Sequence, residues 1–206
     1  LQCVKPTLCL ANSVILAIFT TYFMLLEKKH YVITGAPSTG KSSVINELRK
    51  MNFVCHEEIA REIIKENQEN NHNVFPWVNM LEFSDMVYYR MKNRAEHQSD
   101  DLCFLDRSVV DLIGYMAFAN EKAPINYAEF AKSSRYAKKV FIMPLWASIY
   151  TNDQERKESI EEAKTIDYNL RESYKNLGFE LIDVPLLAIK ERAKFILTEI
   201  GLQIEA

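Results

Sequence analysis

Gly35-Ala36-Pro37-Ser38-Thr39-Gly40-Lys41-Ser42 carries the clearest chemistry in the chain. Two glycines with four residues between them, then Lys and a hydroxyl residue, form the Gly-x-x-x-x-Gly-Lys-Ser pattern of a phosphate-binding loop. Each residue type has a physical reason. Glycine accepts positive φ, which lets successive N–H groups turn inward onto an anion. Lys41 offers a compact positive charge to the β- and γ-phosphates, and Ser42 offers a hydroxyl to Mg2+. Ser43 continues into a helix whose first amides and dipole point at the same anion. The expected ligands are ATP and Mg2+. ATP is favoured over GTP because no Asn-Lys-x-Asp sequence is present to read guanine.

Three further groups belong near that loop. Leu102-Cys103-Phe104-Leu105-Asp106 is an apolar run ending in a carboxylate, which places Asp106 beside the loop to hold Mg2+ through water. The next residue is Arg107, where motor-type ATPases resemble one another in placing a water-activating Glu. Asp106-Arg107-Ser108 instead resembles the Asp/Glu-Arg-Ser/Tyr motif of nucleoside and nucleotide kinases, whose Arg reaches the acceptor or a phosphate; a surface arginine is the plainer reading. Cys55-His56-Glu57-Glu58 ends an apolar run with two carboxylates. Glu58 is placed to accept or orient an acceptor hydroxyl, with Glu57 as its rival, or else to cap a helix. Arg61, one turn on, could contact a bound anion. In the charged stretch Asn152 to Lys157, Arg156 is the candidate to cover the transferring phosphate from a small lid, with Lys157 behind it. Val184-Pro185 is the expected resting place of the adenine. Trp77, Tyr88 and Tyr89 line an acceptor pocket or fill the core, and the four histidines form no constellation.

The elements that must hold these residues alternate strand and helix. Strands are predicted at Tyr31–Thr34, Phe53–His56, Leu102–Leu105, Lys139–Ile142 and Glu180–Val184. Helices are predicted at 41–50, 58–65, 77–96, 109–119, 127–137, 158–177 and 187–200, with 66–73 a polar loop. Such alternation predicts a three-layer α/β domain around a five-stranded, mostly parallel sheet. The sequence has 206 residues, enough for one such domain over residues 30–206. The net charge of −3 gives no basic excess to attract nucleic acid. Cys55 and Cys103 sit in apolar runs and read as buried thiols; Cys3 and Cys9 complete the set without any Cys-x-x-Cys pair.

Residues 1–29 stand apart. Leu8 to Leu26 carries no charge and is long enough for a membrane span. A leader outside the working protein, an anchor or signal, and a packed helix are the three readings. The leader is favoured, because a span ending at Leu26 crowds the first strand and Met24 would make a natural start. Nucleotide triphosphates point to a cytoplasmic setting.

Taken together, Thr34 to Ser43, Glu57-Glu58 with Ala60-Arg61, Phe104-Leu105-Asp106-Arg107, Asp153-Gln154-Glu155-Arg156 and Tyr174 to Pro185 resemble the small AAA-type ATPases related to the kinase-like domain of ribosylnicotinamide kinase. That resemblance implies a nucleoside- or nucleotide-kinase-like P-loop fold and nucleotide binding. It also implies that Asp111 contacts a ribose. Two functions follow as expectations: a phosphotransferase acting on a nucleoside-like acceptor, or a nucleotide-gated regulatory ATPase completed by a protein partner.

Overall fold

The computed structural model describes residues 30–97, 102–146 and 158–202. The apolar run Leu8 to Leu26, Cys3, Cys9 and the Asn152–Lys157 stretch with Arg156 lie outside the described residues. The elements in chain order are β1 (His30–Thr34), α1 (Lys41–Lys50), β2 (Cys55–His56), α2 (Ile59–Glu69), α3 (Met80–His97), β3 (Cys103–Asp106), α4 (Val109–Phe118), α5 (Ile125–Ser133), β4 (Lys139–Ile142), α6 (Ile160–Asn176), β5 (Glu180–Asp183) and α7 (Ile189–Glu199).

The sheet runs β2-β3-β1-β4-β5, and all its ladders are parallel. β1 is central, between β3 and β4, so helices must cover both of its faces. Its side chains alternate accordingly. Val32 points into one core layer with Leu105, Ile63, Phe83, Val87 and Tyr127, beneath α2 to α5. Ile33 points into the other with Phe104, Phe141, Val44, Leu48 and Ile196, beneath α1 and α7. This sandwich leaves the carboxyl end of β1 and β3 as the place where loops converge, the usual ligand edge of an open parallel sheet.

Several boundaries differ from the sequence expectation, each for a local reason. β2 shrinks to two residues at the sheet edge, following the positive-φ turn at Asn52. α2 runs on through the polar residues 66–69, because Asn67 is buried and donates to the Val74 carbonyl at 2.6 Å, while Arg90 forks onto Glu66 at 2.6 and 2.8 Å. α3 begins at Met80 rather than Trp77, since the Asn79 side chain accepts from the Glu82 N–H at 3.1 Å and caps the first turn. α5 ends at Ser133 because Tyr136 is drawn into a bridge with His30. α6 starts behind a Ser159–Glu162 capping box. Cys103 is buried and Cys55 half-buried; burial pushes the Cys55 thiol up to about 11. Among the described residues no helix is long and apolar enough to cross a membrane.

Candidate active site

The loop between β1 and α1 wraps tightly. Gly35 has φ 140°, and a Cβ there would lie 2.5 Å from the Met143 carbonyl oxygen. Gly40 has φ 82° and opens α1; a Cβ there would lie 3.0 Å from Arg192 Nη1. Backbone excludes a side chain at Gly35, and the left-handed φ disfavours one at Gly40, so the backbone itself forms the floor. Pro37, Ser38, Thr39, Gly40, Lys41, Ser42 and Ser43 all face one cleft of about 1200 Å³. Lys41 folds inward, donating to the carbonyls of Gly35 at 3.0 Å and Ala36 at 2.7 Å and to Thr39 Oγ1 at 3.4 Å. Burial, then repulsion from Arg107, lowers its amine to about 7.

β3 delivers Asp106 next to this floor. Ser42 Oγ donates to Asp106 Oδ2 at 3.5 Å, while Oδ1 is buried with no hydrogen-bond partner. Burial, then the nearby Glu58 carboxylate, pushes Asp106 up to about 6. An orphaned carboxylate oxygen beside a serine hydroxyl is a hard-oxygen donor pair. It fits Mg2+ held with water and phosphate oxygens rather than a cage of protein ligands. Among the described residues no cluster of three or more His, Cys, Asp or Glu able to hold a metal exists.

Arg107, at φ 70°, turns its side chain back over the strand end. Its Nε donates to Glu58 Oε1 at 2.7 Å, Nη1 to Asp111 Oδ1 at 3.1 Å and Nη2 to the Tyr115 hydroxyl at 3.1 Å. Burial works against its charge, but Tyr115, Glu58 and Asp111 outweigh it and hold the guanidinium cationic. Glu58 precedes α2, yet its side chain makes no capping bond. Burial alone would raise its carboxyl, but Arg107, with Lys41 and Arg61, holds it below its ordinary value. Glu57 turns outward, 67 % exposed and 3.2 Å from Arg49. Of the two rival carboxylates, Glu58 therefore faces the cleft. Arg61 lines it too, 3.5 Å from Glu58 Oε2.

Asp111 is committed to structure. Thr34 Oγ1, Arg107, the Ser108 N–H and the Tyr174 hydroxyl all bond its two oxygens, and it closes the capping box of α4. The ribose contact implied by the resemblance has no free oxygen to use. Pro185 does not line the cleft. The near wall comes from Leu187, Ala188 and Ile189, two to four residues later, with Trp146 and Arg192. Trp77 lines the far wall, whereas Tyr88 is core, stacked on Tyr127 at 4.7 Å, and Tyr89 is 64 % exposed and off the cleft.

Sequence reasoning missed Arg192. It is buried, sits 3.5 Å from the Thr39 carbonyl, and carries the Trp146 ring 5.7 Å from its guanidinium carbon. In the sequence it is one more charge on an amphipathic closing helix, and only the fold brings it to the phosphate loop.

No curated protein matches the chain. Solved kinase structures share its fold. Deoxyadenosine kinase from M. mycoides matches with TM-score 0.59 and 15 % identity, over 84 % of this chain and 98 % of that one. NadR in complex with NR matches at 0.65 and 15 %, over 86 % of this chain and 53 % of NadR. Thymidylate kinase from Candida albicans matches at 0.60 and 16 %, over 84 % and 90 %. At these identities the likeness is one of fold. The sequence pattern of the family described as AAA domain matches residues 30–192, from the first residue of β1 to Arg192. This chain therefore belongs to the AAA domain family, built on the P-loop kinase fold.

Proposed function

We propose that this protein is an ATP-dependent phosphotransferase that moves the γ-phosphoryl group of ATP to a hydroxyl of a nucleoside-like small molecule. The observation that carries the reading is the Glu58–Arg107 pair, 2.7 Å apart in the same cleft as Lys41. A carboxylate so placed serves a substrate hydroxyl. The residue after Asp106, where a hydrolytic motor needs a second carboxylate, is the arginine of that pair.

In this reading the loop from Gly35 to Ser43 cradles the β- and γ-phosphates, and Lys41 swings from its carbonyl contacts onto them. Ser42 and Asp106 would hold Mg2+, which would supply charge neutralisation for the phosphate oxygens. Leu187 to Ile189, Trp146 and Arg192 would flank the base, taking the place first expected of Pro185. Glu58 accepts a hydrogen bond from the acceptor hydroxyl and aims its oxygen at the γ-phosphorus. The new O–Pγ bond forms as the bond from Pγ to the β-bridging oxygen breaks, and ADP leaves. Because Arg107 keeps Glu58 ionised at neutral pH, its main contribution is orientation; the hydroxyl proton passes late to the Glu58 carboxylate, which then releases it to solvent.

The test is transfer of labelled γ-phosphate to a panel of nucleosides. Glu58→Gln should cut acceptor-dependent turnover about 100-fold with MgATP affinity nearly kept. Turnover unchanged by Glu58→Gln, or γ-phosphate loss that no acceptor accelerates, would defeat the reading. Hydrolysis that requires an added protein would favour the regulatory ATPase instead.

A further inference from the structure

We propose that the acceptor is an uncharged alcohol carried on a flat aromatic ring, and not a phosphomonoester. This rests on the phosphotransferase reading and names what the acceptor half of its cleft takes.

The first observation is the wall. Past Glu58, the cleft is bounded by Ile64 of α2, Met80, Phe83 and Val87 of α3, and Leu112 of α4. Trp77 stands on the turn before α3, 59 % exposed and stacked on Phe75 with centroids 5.0 Å apart and planes 2° from parallel. A side chain of that size kept at a cleft wall offers a large flat surface at little entropic cost. Met80 adds a polarisable thioether that adapts to a ring face or edge. Aliphatic polyols gain little from such surroundings, whereas a planar ring is desolvated on both faces.

The second is charge. Among the described residues, every cation lining this half faces a carboxylate. Arg107 lies on Glu58 and Asp111, Arg61 is 3.5 Å from Glu58, and Lys65 is 3.9 Å from Glu69. Glu158 adds a further negative charge to the lining. An acceptor dianion would have to displace one of these pairs and come to rest near Glu58, the carboxylate that serves the hydroxyl, so like-charge repulsion works against it.

The third is a polar handle. Ser84 is 1 % exposed, lies on the cleft side of α3, and its hydroxyl bonds the Met80 sulfur at 3.6 Å, a weak contact. A buried hydroxyl so poorly satisfied gains by bonding a ring-edge nitrogen or oxygen.

The experiment is calorimetry on the full chain saturated with Mg2+ and a non-hydrolysable ATP analogue. Five probes are titrated: adenosine, thymidine, the 5′-monophosphate of each, and inositol as a neutral polyol without a ring π-face. At least one nucleoside should bind 10-fold or more tighter than its own monophosphate and than inositol. Trp77→Ala should weaken that nucleoside 5- to 10-fold, with affinity for the ATP analogue as the internal control for folding. Ser84→Ala should weaken it less. Tighter binding of the monophosphate, equal binding of inositol, or indifference of the bound nucleoside to Trp77→Ala would each overturn the inference. Absence of any acceptor binding while the ATP analogue still binds would overturn it as well, leaving the nucleotide site standing. Failure of the ATP analogue itself would remove the phosphotransferase reading beneath it.

Discussion

Two buried aspartates flank the turn from β3 to α4, and their surroundings are opposites. Asp111 is a finished tie: hydroxyls from β1 and α6, a guanidinium and a backbone N–H converge on it. Asp106 has one long contact to Ser42 and an oxygen with nothing to bond. Asp106 is 5 % exposed and Asp111 1 %, so burial alone does not separate them. The difference is whether the fold completes the carboxylate's shell. Where it does, the aspartate locks elements together. Where it stops short, the aspartate is raised toward neutrality and stores a cost that a cation can relieve. Incomplete satisfaction of a buried charge is thus what sets the proposed Mg2+ position, Asp106, apart from Asp111.

The sharpest way to break this contrast is at Asp111. Asp111→Ala strands the Thr34 hydroxyl, leaves the Tyr174 hydroxyl only Ser108, uncovers Arg107 and removes half of the α4 capping box. The expected loss is about 3–5 kcal/mol, read by urea denaturation. Should the variant fail to fold, Tyr174→Phe removes one hydroxyl, bonded to Asp111 and Ser108, and should cost about 1–2 kcal/mol. A loss under about 1 kcal/mol for Asp111→Ala would mean that the network is decoration and the contrast with Asp106 is spurious.

The contrast was half legible in the sequence. The position of Asp106 beside the loop was readable because an apolar run ending in Asp was set against a Gly-Lys-Ser loop 64 residues upstream. Lys41 to Lys50 was readable because Val44, Ile45 and Leu48 repeat at helical spacing behind that loop. Asp111 was not, because its partners Thr34 and Tyr174 lie 77 and 63 residues away. Arg192 was hidden for the same reason, 153 residues from Thr39. The end of α2 was misjudged because its polar residues look like a loop; the bonds from Asn67 and Arg90 that keep it helical reach outside the segment. Motif chemistry is local and survives in one dimension, whereas the satisfaction of a buried group is tertiary.

Asp106→Asn sharpens the comparison from the other side. With its folded value near 6 against 3.8 unfolded, the native state binds more protons between those values. Stability contributed by this group therefore falls as pH rises from about 4 to 6, and the full penalty is present at pH 7. The neutral amide should remove it, raising ligand-free stability by about 3 kcal/mol at pH 7 and Tm by about 6–12 °C, with little gain near pH 4. Saturating MgATP should stabilise the wild type more than the variant and close or reverse the gap. A variant that is less stable than wild type at pH 7 would show that Asp106 has partners the fold already supplies.

The smallest effect tests the same logic on a cation. Lys41 has three acceptors around its ammonium, yet none is a carboxylate, and burial brings its amine to about 7. The unfolded chain then binds more protons than the native one between pH 7 and 10.5, so ligand-free stability rises with pH across that window. A triphosphate reverses the balance by favouring the charged amine. Binding should take up about half a proton at pH 7 and close to one at pH 8, and affinity should fall as pH rises from 7.5 to 9. Asp106 is already ionised there and contributes nothing to the slope. Calorimetry in buffers of different ionisation enthalpy reads the uptake directly. Uptake near zero at pH 8 would mean that the carbonyls of Gly35 and Ala36 suffice to keep Lys41 charged, and that the floor of the cleft, unlike Asp106, is complete before any ligand arrives.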